Sequence, residues 1–247
     1  MPCLPALFRC YGFAAAIVAL LAMGPASCLA SIQTYIDASA FDAAAQGLLY
    51  GMEDFENNSL GVTGAVLMDG PLSPSSTESP FGGGIGVPVA IQDNQGGAGA
   101  ATPDPSPAAG LAVLKNFAWV TSTAVLFNSN SSNYSLDLIF EPSSLVLSVG
   151  FDTIVNASAD LVTVTVFDTS NAVLGSYTGV DAAGNGTEFF GVVVGGGDYI
   201  GRINIAREGG GIAGVDDLSV YGATPEPAAI LVWAGMMGVV ASLRRGR

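Results

Sequence analysis

The chain has 247 residues, half of them hydrophobic, with 33 glycines, 13 prolines, 21 acidic and 7 basic side chains and no histidine. The missing histidine excludes Ser-His-Asp and Cys-His triads and every zinc site that needs imidazole. A formal net charge of −14 argues against a nucleic-acid partner, whose phosphates need Lys and Arg to neutralise them.

Residues 1–30 hold one cation, Arg9, then an apolar run from Tyr11 to Met23, then small residues. That order is the pattern of a secretory signal peptide, with cleavage expected after Ala30. The run is 13 residues long, short of the roughly 20 that cross a bilayer. Cys3, Cys10 and Cys28 all precede the expected cut, so the mature chain is expected to hold no disulfide and to depend on a hydrophobic core or bound metal.

Residues 31–222 then form one domain. Its only basic side chains are Lys115, Arg202 and Arg207, against 20 acidic ones, a net charge of −17. A charge that large repels itself unless it is screened or bridged by cations. One helix is expected, between Asp37 and Leu48, with Ser39 as its cap and Phe41, Ala44, Ala45 and Leu48 on one face. An acidic stretch, Glu53-Asp54-Phe55-Glu56, follows.

From Gly70 to Gly110 seven prolines alternate with glycine runs. Proline removes ladder donors and glycine raises the entropy cost of order, so this part reads as an irregular surface excursion with a short strand near Val87–Ile91. Its Gly82-Gly83-Gly84-Ile85-Gly86 run lacks the lysine and helix of a phosphate loop.

Beyond it the period is two. In Leu145–Phe151, alternation places Leu145, Leu147, Val149 and Phe151 on one face. In Asp160–Phe167, Val162, Val164 and Val166 oppose Thr163, Thr165 and Phe167. Further strands are expected at Ala124–Phe127, Tyr134–Phe140, Phe189–Val194, Tyr199–Ile205 and Leu218–Tyr221, with Gly195-Gly196-Gly197 as a hairpin turn. Short strands between Asn, Gly and Ser turns predict an all-β fold, an antiparallel β-sandwich of jelly-roll type.

Just before the last strand comes Gly214-Val215-Asp216-Asp217-Leu218. First and last strands of a sandwich often pair, which would bring Asp216 and Asp217 to Glu56 and offer hard oxygen ligands to Ca2+. Exposed aromatics that stack on sugar rings are sought at Trp119, Tyr134, Tyr177 and Tyr199, and a polar loop at Asn128, Asn130, Ser131 and Asn133.

After Gly222 the sequence reads Ala223-Thr224-Pro225-Glu226-Pro227, then 16 uncharged residues from Ala228 to Leu243, then Arg244, Arg245, Gly246 and Arg247. Sixteen residues of helix reach about 24 Å, a marginal transmembrane helix with its arginines expected on the cytoplasmic side.

Pro225-Glu226-Pro227, the apolar helix and the terminal arginines, Arg244 and Arg245 among them, resemble the PEP-CTERM sorting signal of exopolysaccharide-producing Gram-negative bacteria. The resemblance implies export, transient membrane anchoring by residues 223–247, and recognition of the Pro-Glu-Pro motif by an exosortase-like membrane enzyme. The domain between resembles jelly-roll carbohydrate-binding-like modules, in which an early acidic residue and a late aspartate hold a structural calcium. On that resemblance Glu56 and Asp216 rank first as ligands.

The expected product is therefore an exported protein of the cell surface or extracellular matrix, structural or adhesive and associated with exopolysaccharide. The alternative is a glycan-binding module. A carboxylate-based glycoside hydrolase ranks last, because such sites sit in aromatic-walled clefts and only Trp119 of the two tryptophans survives processing.

Overall fold

The computed structural model describes residues 31–56, 64–68, 71–75, 81, 85, 89–96, 99–104, 111–117, 120–129, 135–155, 162–180, 187–207 and 211–223. Residues 1–30, expected to be a signal segment, and residues 224–247 of the expected sorting tail lie outside them, and among the described residues no helix is long and apolar enough to cross a membrane. In chain order the elements are β1 (Ile32–Tyr35), α1 (Ala38–Ala44), β2 (Leu48–Glu53), β3 (Gly64–Met68), β4 (Val89–Asn94), β5 (Leu111–Phe117) and β6 (Val120–Ser129). There follow β7 (Ser135–Phe140), a 3-10 turn at Pro142–Ser144, β8 (Val146–Val155), β9 (Val162–Asp168), β10 (Val173–Val180), β11 (Thr187–Val194), β12 (Ile200–Arg207) and β13 (Gly211–Gly222).

The strands form two antiparallel ladders. One runs β10-β9-β12-β7-β4. The other runs β1-β11-β8-β13, and β13 then pairs β6 along its first half and β2 along its second, with β5 and β3 beyond β6. Among the described residues a single pairing, Ile200 with Val146, joins the two, so the sheet is nearly closed on itself. The fold is all-β, antiparallel and jelly-roll-like.

One core lies between the ladders. Val162, Val164 and Val166 point into it, as their alternation predicts, with Leu136, Leu138, Ile203 and Ile205 beside them. From the other ladder come Val149, Phe151, Phe190, Val192, Val215 and Val220. Burying each such side chain contributes about 1.5–3 kcal/mol relative to exposure.

Four local expectations are corrected. The helix is capped by Asp37, whose Oδ1 accepts from the Ala40 N–H at 2.8 Å, rather than by Ser39. It stops at Ala44, because Gly47 turns in the left-handed region and Leu48 enters the ladder opposite Gly222. Leu145 is itself left-handed at φ 47 and ends the 3-10 turn, so β8 begins one residue later. Gly195–Gly197 is no hairpin, since β11 and β12 pair with different strands and the turn carries the chain between ladders.

Helix α1 covers the outer face of β8 and β11 through Phe41, which is fully buried. Gly150 and Gly191 make room for it: a Cβ on Gly191 would lie 2.5 Å from Phe41 Cδ2. Phe189 and Tyr221 complete an aromatic cluster around the same ring.

Candidate functional site: a polar sheet face under a thin cover

The outer face of the β4-β7-β12-β9-β10 ladder should be the solvated one, and its sequence is polar. One cross-strand row reads Gln92, Asp137, Asn204, Thr165 and Ser176. The next reads Asn94, Ser135, Ala206, Thr163 and Thr178, so Ala206 alone is apolar. Yet Asn94, Asp137 and Asn204 are wholly buried, and Arg202 in the adjoining row is 2 % exposed.

Such burial is tolerated only with hydrogen bonds in place. Asp137 supplies most of them. Its Oδ1 accepts from Arg202 Nη1 at 3.0 Å and from Asn204 Nδ2 at 2.7 Å, and its Oδ2 accepts from Asn94 Nδ2 at 2.7 Å. Asn204 Nδ2 also donates to Ser135 Oγ at 2.7 Å. The Arg202 guanidinium lies 3.8 Å above the Phe167 ring and donates from Nε to Asn171 Oδ1. At the far edge the hydroxyls of Thr163 and Thr178, and of Thr165 and Ser176, pair across strands. The Gln92 side-chain nitrogen is buried and finds no partner among the described residues.

What covers this face is one chain thick. Asn94 Oδ1 accepts from the Gly96 N–H at 2.8 Å, and Asn204 Oδ1 accepts from the Gly99 N–H at 2.9 Å. Arg202 Nη2 donates to the Ala100 carbonyl at 2.6 Å, and Asn94 Nδ2 to the Thr102 carbonyl at 3.1 Å. At one end the face is open. Ala90 and Ile139, in the same row as Arg202, lie half-buried in the wall of a groove of about 560 Å3, with Ser73, Pro74 and Glu141 opposite.

The expected acidic corner lies on the other ladder. Strand β2 does pair with β13, with Glu53 opposite Leu218, and a bulge at Asp217 follows Asp216 opposite Asp152. Asp216 is buried and Asp217 is exposed in the left-handed region at φ 46. Partial burial of its carboxyl end still raises Asp217 above the ordinary range, and Asp54 and Glu56 push it the same way; partial burial and then Asp217 raise Asp152. The carboxylates thus feel one another, but no group of three or more among the described residues stands as a ready set of metal ligands.

Of the aromatic candidates, Tyr177 packs against the core and the Phe190 ring rather than presenting a stacking face, and Tyr199 is half-buried. Trp119, Tyr134, Asn130, Ser131 and Asn133, with Pro225, Glu226, Pro227, Arg244 and Arg245, lie outside the described residues. Sequence reasoning missed Gln92, Asn94, Asp137, Arg202 and Asn204, which sit on three separate strands. Their one signal is a polar side chain at alternate positions of β4, β7 and β12.

No family model and no curated protein matches the chain. Among solved structures, the K1 cleaved adhesin domain of Lys-gingipain from Porphyromonas gingivalis W83 is similar at 13% identity and a TM-score of 0.32, covering 70% of this chain and 98% of that one. The CBM22-1–GH10 modules of Clostridium thermocellum xylanase 10B align at 8% identity and a TM-score of 0.35, covering 72% of this chain and 29% of theirs. The active domain of bacteriophage CBA120 tailspike protein 4 aligns at 14% identity and a TM-score of 0.33; the match covers 54% of this chain but only 19% of the tailspike. These are likenesses of β-architecture.

Proposed function

We propose that this is an exported protein of the bacterial surface or matrix whose β-domain binds polysaccharide non-catalytically. The observation that carries the reading is the polar face with its open groove. Amide, carboxylate, guanidinium and hydroxyl groups lie side by side on rigid strands, next to the apolar wall formed by Ala90 and Ile139. That mixture suits a sugar, which presents hydroxyls around an apolar ring face and is held by a few placed polar groups beside apolar contact. Export by residues 1–30 and sorting by residues 223–247 through an exosortase-like enzyme belong to the same proposal, with the apolar tail as a transient anchor. So does Ca2+ at the acidic corner, as the counter-ion that Glu56, Asp216 and Asp217 call for.

Affinity electrophoresis through gels containing the producing cells' own polysaccharide tests the binding. Retardation is expected, and Ile139→Arg, which fills the groove from a half-buried position, should abolish it. Equal mobility with and without polysaccharide would contradict the reading. Intact mass of the secreted form tests the sorting: both ends should be missing, and a secreted chain that still carries Arg247 would count against it.

A further inference from the structure

We propose that the segment tied between Gln95 and Asp104 is a lid over the polar face, displaced when an oligosaccharide takes over its hydrogen bonds. The inference rests on reading that face as the ligand site.

The lid's two ends are pinned together. The Gln95 N–H donates to the Asp104 carbonyl at 2.9 Å, so the chain departs from the sheet and comes back at one point. Its described residues are small: Gly96, Gly99, Ala100, Ala101 and Thr102, then Pro103. None carries an apolar side chain larger than alanine, apart from the proline ring. Among the described residues, four hydrogen bonds to Asn94, Arg202 and Asn204 tie the lid to the sheet. In each of them the lid contributes a backbone group and the sheet a side chain. Gly96, Gly99 and Ala101–Asp104 are themselves exposed, while the side chains beneath them are buried.

The chemistry of those bonds identifies the competitor. The sheet offers donors, Arg202 Nη2 and Asn94 Nδ2, beside acceptors, Asn94 Oδ1 and Asn204 Oδ1. A sugar hydroxyl both donates and accepts, so adjacent hydroxyls satisfy the same set that the peptide satisfies now. Gln92 Nε2, buried on the same face and unpartnered among the described residues, would gain an acceptor that the lid does not supply. The groove at Ala90 and Ile139 gives the ligand its point of entry. Lid opening makes the binding-competent state a minor one, and apparent affinity falls by that fraction.

A cystine lock tests this. A Cβ at Gly99 would touch Thr165 Oγ1 at 3.6 Å, so cysteines at these two positions face each other across the contact between lid and sheet. The full chain would carry Gly99→Cys and Thr165→Cys, with Cys3, Cys10 and Cys28 replaced by serine. Oxidised and reduced forms of one variant are compared, which cancels the strain of a side chain at Gly99, whose φ is +66. The reduced form should bind the producing cells' polysaccharide at least tenfold more tightly than the oxidised form. Hydrogen exchange of the unlocked wild type is the second readout. The amides of Gly96 and Gly99 should exchange at least a hundredfold faster than those of Ile203 and Ile205.

Equal binding by the two redox forms overturns the proposal, because the lid is then not in the way. Lid amides that exchange as slowly as those of β12 overturn it too. Fast lid exchange with no binding in either form supports the opening but overturns the oligosaccharide as its cause, and with it the polysaccharide reading itself.

Discussion

Arg202 Nη1 donates to Asp137 Oδ1 at 3.0 Å with both side chains shut away from solvent, the guanidinium 2 % exposed and the carboxylate not at all. Breaking such a pair from one side leaves the other charge buried and uncompensated, which costs about 3–5 kcal/mol, whereas replacing both by apolar groups is far milder. Arg202→Met and Asp137→Leu should each lower stability severely. The double variant should be more stable than either single one in urea denaturation, because neither ion is then stranded.

Two sets of carboxylates should respond to acid in opposite ways. Partial burial would raise Asp168, but the Ser170 hydroxyl and the Ala172 and Ser170 amides outweigh it and hold the carboxyl below its ordinary 3.8. Its stabilisation is therefore complete above 3.8 and is lost as pH falls through the lowered folded value. Asp217 and Asp152 are raised, so their ionisation opposes folding at neutral pH, and that opposition fades as pH falls through their raised values towards 3.8. Asp217→Asn should thus be the more stable form at neutral pH, by less than about 1 kcal/mol for so exposed a group, with the gap closing in mild acid. Asp168→Ala should be the less stable form, with its gap closing only in stronger acid. Denaturant midpoints from neutral to about pH 3, at fixed ionic strength, measure both.

Calcium should reverse one of these orders. In excess chelator Asp217→Asn outlasts the wild type. In millimolar calcium the wild type should gain, by about 2.7 kcal/mol at a hundredfold excess over Kd, and Asp216→Asn and Asp217→Asn should not. Asp198→Asn, away from the corner, is the control and should gain as the wild type does. Melting curves that do not differ between calcium and chelator would leave these carboxylates as solvated turn residues.

At the helix–sheet contact, Gly191→Ala places a methyl group 2.5 Å from Phe41 Cδ2 and should cost about 1–3 kcal/mol by overpacking. Phe41→Ala empties the same site, at about 3–5 kcal/mol. The double variant should lose less than the two costs added, since the methyl then enters the space the ring has left. Thermal unfolding of the four forms completes the cycle, and strict additivity would mean that the two residues do not share that space.

The core strands were legible because their alternation is local: Val162, Val164 and Val166 declare a buried face within five residues, and the structure buries all three. Their partners Thr163 and Thr165 were also read correctly as the opposite face. That Thr165 is buried too was not legible, since Gly99, which lies against it, belongs to a glycine- and proline-rich stretch some 60 residues earlier that reads as surface excursion. The Asp137 network was hidden for a related reason. Gln92, Asp137 and Asn204 share a row only through the β4-β7-β12 pairing, and nothing local to any of the three announces the other two. A pairing of first with last strand is the sandwich expectation, but β1 pairs with β11 and it is β2 that lies beside β13. The bulge that exposes Asp217 while Asp216 stays buried depends on one left-handed residue and was not legible.

Hydrogen-exchange footprinting of the protein with and without the producing cells' polysaccharide bears most directly on the central claim. Binding at the polar face predicts altered exchange at Gly96, Gly99, Ala90 and Ile139, with the acidic corner at Asp54–Glu56 and Asp216–Asp217 unchanged. Binding that leaves those four amides untouched, or protects the β2–β13 corner instead, would contradict it.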